Sequence, residues 1–424
     1  MVKKTLRSER KSFCLFLLIF MVYALIYMTK NCYSAAMASI VSQGIMTKSQ
    51  TGLIAAAFYL IYAPFQIVGG IAADHYSPRN LILFGTFGAA VCNLLVFFFS
   101  ENYVAMLIIW SLNAIIQFGI WPAIFKIVTS QLHHEHRSRG VFFISFSSSI
   151  GLIFSYICAA IITDWKFNFL FSAIVLFVSV IGFFVVYHYL EKDMVPEEIP
   201  HCTGDALSAK DKETRGKRSG TGRLILTSGV PLLLVVYVIL SLLNLGVKAL
   251  VPVMLTESYE SVTPSLANIL NIVVIIASPI GMLLSRLSFW RRFTEPMAMA
   301  VLIVIMLPLL FLITLVGNAP LLVIMVALVL MMITVSASTI FFSFISKTFE
   351  RYSCSGTVSG LFNCMASLGI VLANYVFTRL AELSGWGFTT TSWLVLAVVA
   401  LVLSLLTIPL WNRFLKKLEV VPQN

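Results

Sequence analysis

The chain has 424 residues, of which 59% are hydrophobic and only 11% charged, and its mean hydropathy is +0.95. So few charges cannot cover the outside of a chain this long in water, which excludes a soluble globular protein and leaves a polytopic membrane protein. The net charge of +11 would suggest nucleic acid in a soluble protein, but here the basic residues fall between apolar runs, so topology accounts for them and no nucleic-acid partner is expected.

Apolar runs of about 20 residues, enough to cross the hydrocarbon layer, mark the elements in order. Lys3, Lys4, Arg7, Arg10 and Lys11 precede the first run, near 12–37. That run is too long for a signal peptide and no small-residue cleavage site follows, so it is expected to be retained. Further runs lie near 49–72, 80–99, 103–128, 140–162 and 167–189. A hydrophilic break from Glu191 to Arg223 intervenes, and six more runs lie near 230–255, 263–286, 295–316, 320–345, 355–380 and 388–411. This predicts an all-α membrane protein of twelve transmembrane helices in two pseudo-symmetric six-helix bundles, 1–190 and 230–424, joined by a flexible cytoplasmic linker over 191–229. With the N-terminus in the cytoplasm, only Lys48, Lys166 and Arg379 fall outside, and Lys30, Lys126 and Lys248 fall within the spans. The other basic residues all crowd the inner side. That bias places both termini of a multi-pass chain on the cytoplasmic side of a cell membrane.

In the first span Tyr23, Tyr27, Lys30 and Ser34 share one helical stripe, four, three and four residues apart. An ionisable group inside a span costs a few kcal/mol or more, so it is expected to face a protein interior or a water-filled cavity; snorkelling to the headgroups is the alternative. The seventh span repeats the stripe with Tyr237, Ser241, Asn244 and Lys248. Repeats across a central linker are a common way to build a transporter, with the substrate near the midplane, so a lysine from each half is expected at one central cavity. Other polar stripes are Asn113 with Gln117, followed by Trp121-Pro122; Asn268 with Asn271; Ser336, Thr339 and Ser343; and Ser359, Asn363 and Ser367. Such residues also serve as contacts between helices.

All eighteen carboxylates and all six histidines fall in loops, termini or span ends, which disfavours proton coupling through a buried carboxylate. Buried cations without buried anions call for a counter-charge, and a mobile anionic substrate supplies one. His133-His134-Glu135-His136 reads as a solvated basic loop, and the seven cysteines are scattered, so neither a metal, a disulfide framework nor a cofactor is expected.

Six plus six spans with a basic central loop, together with Gly70-Ile71-Ala72-Ala73-Asp74-His75-Tyr76-Ser77-Pro78-Arg79 between the second and third spans, resemble the major facilitator superfamily and the signature loop that it carries there. Gly70 is expected to permit close helix approach, and Asp74 and Arg79 to exchange ion pairs or caps as the cytoplasmic side opens and shuts. Within that superfamily the chain resembles the organophosphate:phosphate antiporters, the glycerol-3-phosphate and hexose-phosphate transporters. The matching residues are Tyr27 to Asn31 with its Lys30-Asn31 pair, Ser77-Pro78-Arg79, and Gln117-Phe118-Gly119-Ile120-Trp121-Pro122. Asp164-Trp165 and Gly356 to Leu361 add to them. The sequence departs from that family at Thr29 and Asn244, where the resemblance implies two phosphate-binding arginines, and around Ser147-Ser148-Ser149, where it implies a histidine.

The resulting expectation is a secondary transporter, not an enzyme, that moves a small organic anion, an organophosphate or a carboxylate, by alternating access, with exchange as the favoured mode. Lys30 and Lys248 would draw in the anion; Tyr27, Asn31, Gln117, Trp121, Asn244 and Asn363 would shape the pocket; Gly70, Asp74 and Arg79 would belong to the gate. The expected partners are the substrate and the lipid bilayer, with the chain acting as a monomer. Two other readings stay open: efflux of amphipathic compounds through a cavity rich in the 33 Phe and 16 Met, and a non-transporting sensor of sugar phosphates that signals through the linker.

Overall fold

The computed structural model describes residues 4–6, 8–162, 164–196, 228–349 and 355–420. A short strand β1 (Lys4–Leu6) precedes α1 (Glu9–Ser42), α2 (Lys48–His75), α3 (Pro78–Phe99), α4 (Tyr103–Ile116), α5 (Ile120–Ser130), α6 (His134–Ile161), α7 (Trp165–Glu191) and β2 (Met194–Pro196). The second part holds α8 (Val230–Ser241), α9 (Val247–Ser258), α10 (Pro264–Leu284), α11 (Glu295–Ile313), α12 (Leu321–Thr348), α13 (Ser355–Leu372) and α14 (Thr378–Val420). Among the described residues nine helices are long and apolar enough to cross a membrane, the last of them spanning Leu361–Lys416. That last one breaks at Gly385, whose φ of 77° and ψ of 175° only glycine adopts freely. With the break counted, and with α2 and α6 added, a helix stands at each of the twelve expected spans.

The starts of the helices follow from their sequence. Thr47 and Gln50 form a reciprocal capping box at α2, Pro78 opens α3, and Asn102 Oδ1 accepts from the Ala105 N–H at 3.1 Å to open α4. Prolines inside helices, such as Pro64 and Pro308, are tolerated because neighbouring helices re-satisfy the freed backbone. Three spans are not uniform α-helix. A 3₁₀ turn at Gln117–Gly119 separates α4 from α5, and π turns at Leu242–Gly246 and Ala373–Phe377 interrupt the seventh and eleventh spans. At the first of these, Pro122 has no N–H to offer the Phe118 carbonyl four residues back, which favours a local tightening of the helix.

The described chain forms two compact units: Met1–Glu198 with Ala249–Ile275, and Ile199–Lys248 with Ile276–Asn424. In the first unit, Leu15, Ile19 and Val22 of α1 pack with Ile82 of α3, Ile124 and Ile127 of α5, and Leu176 and Phe183 of α7. Asn268 Nδ2 of α10 donates to the Ala35 carbonyl at 3.2 Å, and Lys48 pairs with Glu257 at 2.9 Å. In the second unit, Tyr237, Phe342 and Phe362 form an aromatic cluster with centroids 4.2–5.4 Å apart. Trp411 Nε1 donates to Glu295 at 2.9 Å.

The segment expected to begin a flexible linker at 191 starts as ordered structure. Glu191 closes α7, and β2 pairs antiparallel with β1, Thr5 opposite Val195. Lys11 pairs with Asp193 at 2.7 Å, and the Leu6 N–H donates to the Gln131 carbonyl at 3.0 Å. Residues 197–227 of that segment lie outside the described residues.

Candidate functional site

Lys30 sits about two-thirds of the way along α1 and is 8% exposed. Its ammonium lies 3.7 Å from the Tyr62 ring centroid, 5.3 Å from Phe58, 5.4 Å from Tyr59 and 5.5 Å from Tyr27. Among the described residues none of the ion pairs includes it. Each cation–ring contact contributes about 0.5–1 kcal/mol when exposed and about 2 when desolvated, so ring faces supply the negative potential that a carboxylate would otherwise give. The expected stripe continues beside it. Tyr23 packs edge-on against Tyr27 at 5.7 Å and lies tilted by 33° against Trp121 at 5.1 Å.

Of the other expected residues in this unit, Gln117 is buried in the 3₁₀ turn and its Nε2 donates to Asn113 Oδ1 at 2.8 Å. Asn31 is buried and its Nδ2 donates to the Tyr27 carbonyl at 2.7 Å, so its donor serves its own helix. Phe58, Tyr59 and Tyr62 were not among the expected site residues. Their signal is in the sequence, three aromatics at i, i+1 and i+4 of one span, but such a cluster reads first as core.

The second unit holds the other lysine. Lys248 is 7% exposed, and its Nζ donates to Asn244 Oδ1 at 2.6 Å. Asn244 Nδ2 donates in turn to Ser336 Oγ of α12 at 3.3 Å. Asn244 lies within the π turn rather than on a regular α-helix, which the four-three-four stripe does not anticipate. A wider turn shifts the register of all that follows, and Gly246 makes room for it: a Cβ there would fall on Ala373 Cβ, in the other π turn. Asn363 differs from these residues in being exposed on α13.

At the signature loop, the close approach expected at Gly70 falls one residue earlier. A Cβ at Gly69 would overlap the Phe118 carbonyl oxygen, whereas one at Gly70 would meet nothing within 4 Å. Helix α2 therefore leans on the 3₁₀ turn through Gly69. Arg79 Nη1 pairs with Glu191 at 3.1 Å, with its guanidinium 4.8 Å from the Phe184 ring. The side chain of Asp74 lies outside the described residues. Lys126 Nζ donates to the Ala73 carbonyl in the last turn of α2, a position where a cation meets the negative end of the helix dipole. The nearest approach to a metal-ligand set among the described residues is Glu9, His133 and Glu135, with ligand atoms within 4.8 Å of one another and both carboxylates exposed. His134 and His136 are not in a loop, as expected from sequence, but open α6.

Comparison with known proteins adds three findings. The Major Facilitator Superfamily matches residues 19–374. Among curated proteins the chain is 34% identical over 119 residues to the membrane sensor protein UhpC of Salmonella typhimurium, covering 28% of this chain and 27% of that protein. It is 24% identical over 149 residues to a probable hexose phosphate transport protein of Chlamydia trachomatis, covering 35% and 32%. The matched stretch thus spans about a quarter to a third of the length of these relatives. Among solved structures, a bacterial homologue of the human lysosomal transporter Spinster superposes with a TM-score of 0.76 at 15% identity, covering 96% of this chain and 99% of that one. At that identity the likeness establishes the fold.

Proposed function

The chain belongs to the Major Facilitator Superfamily, and on that premise we propose that it is a secondary transporter moving a small organic anion across the cell membrane by alternating access. The observation that carries this reading is Lys30, a cation buried in a membrane-spanning helix with ring faces rather than a carboxylate around it. A charge kept in that state is costly unless a ligand uses it. Lys248, held by the Asn244 amide, is the second anion-binding cation. Lysine acts as a point charge where arginine would grip in a bidentate fork, so Thr29 and Asn244 in place of arginines favour a site that reads charge more than phosphate geometry. In the first unit Tyr27, Asn31, Gln117 and Trp121 serve the anion beside Lys30, in the second unit Asn363 is a further candidate contact, and Arg79 with Asp74 and the Gly69-Gly70 pair belongs to the cytoplasmic gate. An anion that neutralises the lysines lets the loaded carrier reorient more easily than the empty one, which favours exchange over net flux. The similarity to a probable hexose phosphate transport protein of Chlamydia trachomatis supports an organophosphate as the first substrate to test.

The test is counterflow in proteoliposomes loaded with phosphate or dicarboxylates, following labelled hexose phosphate, glycerol-3-phosphate and small carboxylates. Uptake is expected to need the internal anion and to fall at least a hundredfold in Lys30→Ala and in Lys248→Ala. Wild-type uptake of none of these anions, or full uptake without both lysines, sinks the reading. A second reading, a sensor that binds the same anion without transporting it, is favoured by the 34% identity with a membrane sensor protein. It predicts saturable binding that needs both lysines, with no counterflow.

A further inference from the structure

The rings around Lys30 form a built environment with its own support. Three of them come from one stretch of α2 and touch one another: Phe58 meets Tyr59 edge-on at 5.3 Å and stacks on Tyr62 at 5.7 Å. Phe58 is backed by Trp110 at 5.7 Å, and Trp110 by Tyr33 at 5.5 Å and Phe169 at 5.8 Å. Phe58 and Trp110 are 1% and 2% exposed, so the wall behind the cage is packed and has little freedom to move. The Tyr62 centroid is well inside the ~6 Å limit for a cation over a ring, and the other three lie close to it. Tyr62 therefore contributes the most.

A carboxylate in this position would neutralise the lysine and repel an incoming anion. Ring quadrupoles attract the ammonium but have no net charge, so the positive potential remains for a ligand to use. We propose that Phe58, Tyr59 and Tyr62 of α2, with Tyr27 of α1, form an aromatic cage that holds the Lys30 ammonium charged and aimed without cancelling its charge, and that Tyr62 is the positioning residue of this cage for the anion. The inference rests on the reading of Lys30 as the group that receives the anion.

Position 62 tests it in the full-length protein, because fluorination weakens the ring quadrupole while leaving its shape. The variants are Tyr62→Phe, Tyr62→Leu and replacement by mono-, di- and trifluorophenylalanine. Two readouts are followed: the apparent KM for labelled hexose phosphate in counterflow, and the rate at which a neutral acylating reagent modifies Lys30, measured by peptide mass spectrometry in detergent. Tyr62→Phe is expected to stay within about twofold of wild type in both. The fluorinated series is expected to raise KM stepwise to about tenfold at three fluorines, with Tyr62→Leu similar. Acylation should accelerate in parallel, since only the neutral amine reacts. A flat acylation series overturns the cage whatever counterflow shows, and so does a loss in Tyr62→Phe as large as in Tyr62→Leu, which would assign the effect to the hydroxyl. A graded acylation series in a protein without counterflow or anion binding keeps the cage and overturns the anion reading.

Discussion

Lys248 holds its ammonium 2.6 Å from Asn244 Oδ1, and the other end of that amide reaches Ser336 at 3.3 Å, so one side chain connects a charge to a hydroxyl on another helix. A hydrogen bond to a charged group contributes about 1.5–3 kcal/mol. Asn244→Ala is accordingly expected to raise the apparent KM for the transported anion by roughly 10–100-fold, read in counterflow, with little change in expression. Asn244→Asp is the sharper variant. It places a carboxylate on Lys248, completes an internal ion pair and competes with the substrate, so transport should fall further than in Asn244→Ala while thermal stability is kept. If Asn244→Asp transports as well as wild type, Lys248 is not an anion-binding group. The residue types at both lysine sites were legible from their stripes. The partners of Lys30 were not, because aromatic side chains in a span look the same in sequence whether they pack on each other or on a cation.

At the scale of elements, the contact of α2 with the α4–α5 junction depends on a missing side chain. Proline at 122 favours the 3₁₀ turn, the turn presents the Phe118 carbonyl, and Gly69 lets α2 close on it. Gly69→Ala puts a methyl group onto that oxygen and is expected to cost about 1–3 kcal/mol, the usual range for overpacking. Gly70→Ala meets open space and should cost nothing measurable. Thermal unfolding in detergent, followed by tryptophan fluorescence, separates the two. Equal loss from both would mean that α2 does not approach α4–α5 through Gly69. The existence of the helices was readable from apolar length alone, whereas their interruptions at 117–119, 242–246 and 373–377 were not. A π turn follows from the packing of two spans, as where Gly246 meets Ala373, and neither residue by itself signals it.

For the whole molecule, the N-terminal arm and the start of the central segment are tied together. Leu6 is buried with Met194 in the first unit's core, and the β1–β2 pair, the Lys11–Asp193 ion pair and the Arg137 hydrogen bonds to Leu132, Ser130 and Thr5 surround that contact. The exposed ion pair adds little by itself; the apolar contact and strand pairing give the arm its hold. Deleting residues 2–7 is therefore expected to speed tryptic cleavage after Lys192 severalfold while leaving the helical content unchanged by circular dichroism. An unchanged cleavage rate would show that the arm does not hold this segment. Charge distribution marks both regions only as polar and basic, since three-residue strands carry too little pattern to be read.

Composition and apolar periodicity by themselves determined that the chain crosses a membrane many times, that twelve apolar spans are to be expected, and that Lys30 and Lys248 are out of place in their spans, because hydrocarbon imposes length and polarity one segment at a time. The signature loop and the short motifs pointed to the superfamily for the same local reason. The tertiary structure alone decided what surrounds each lysine, rings for Lys30 and an amide for Lys248, and which glycine of the Gly69-Gly70 pair is the point of contact. It also decided that Ala249–Ile275 groups with the first unit. These depend on which faces of distant helices meet, and a helix stripe specifies a face without naming its neighbour.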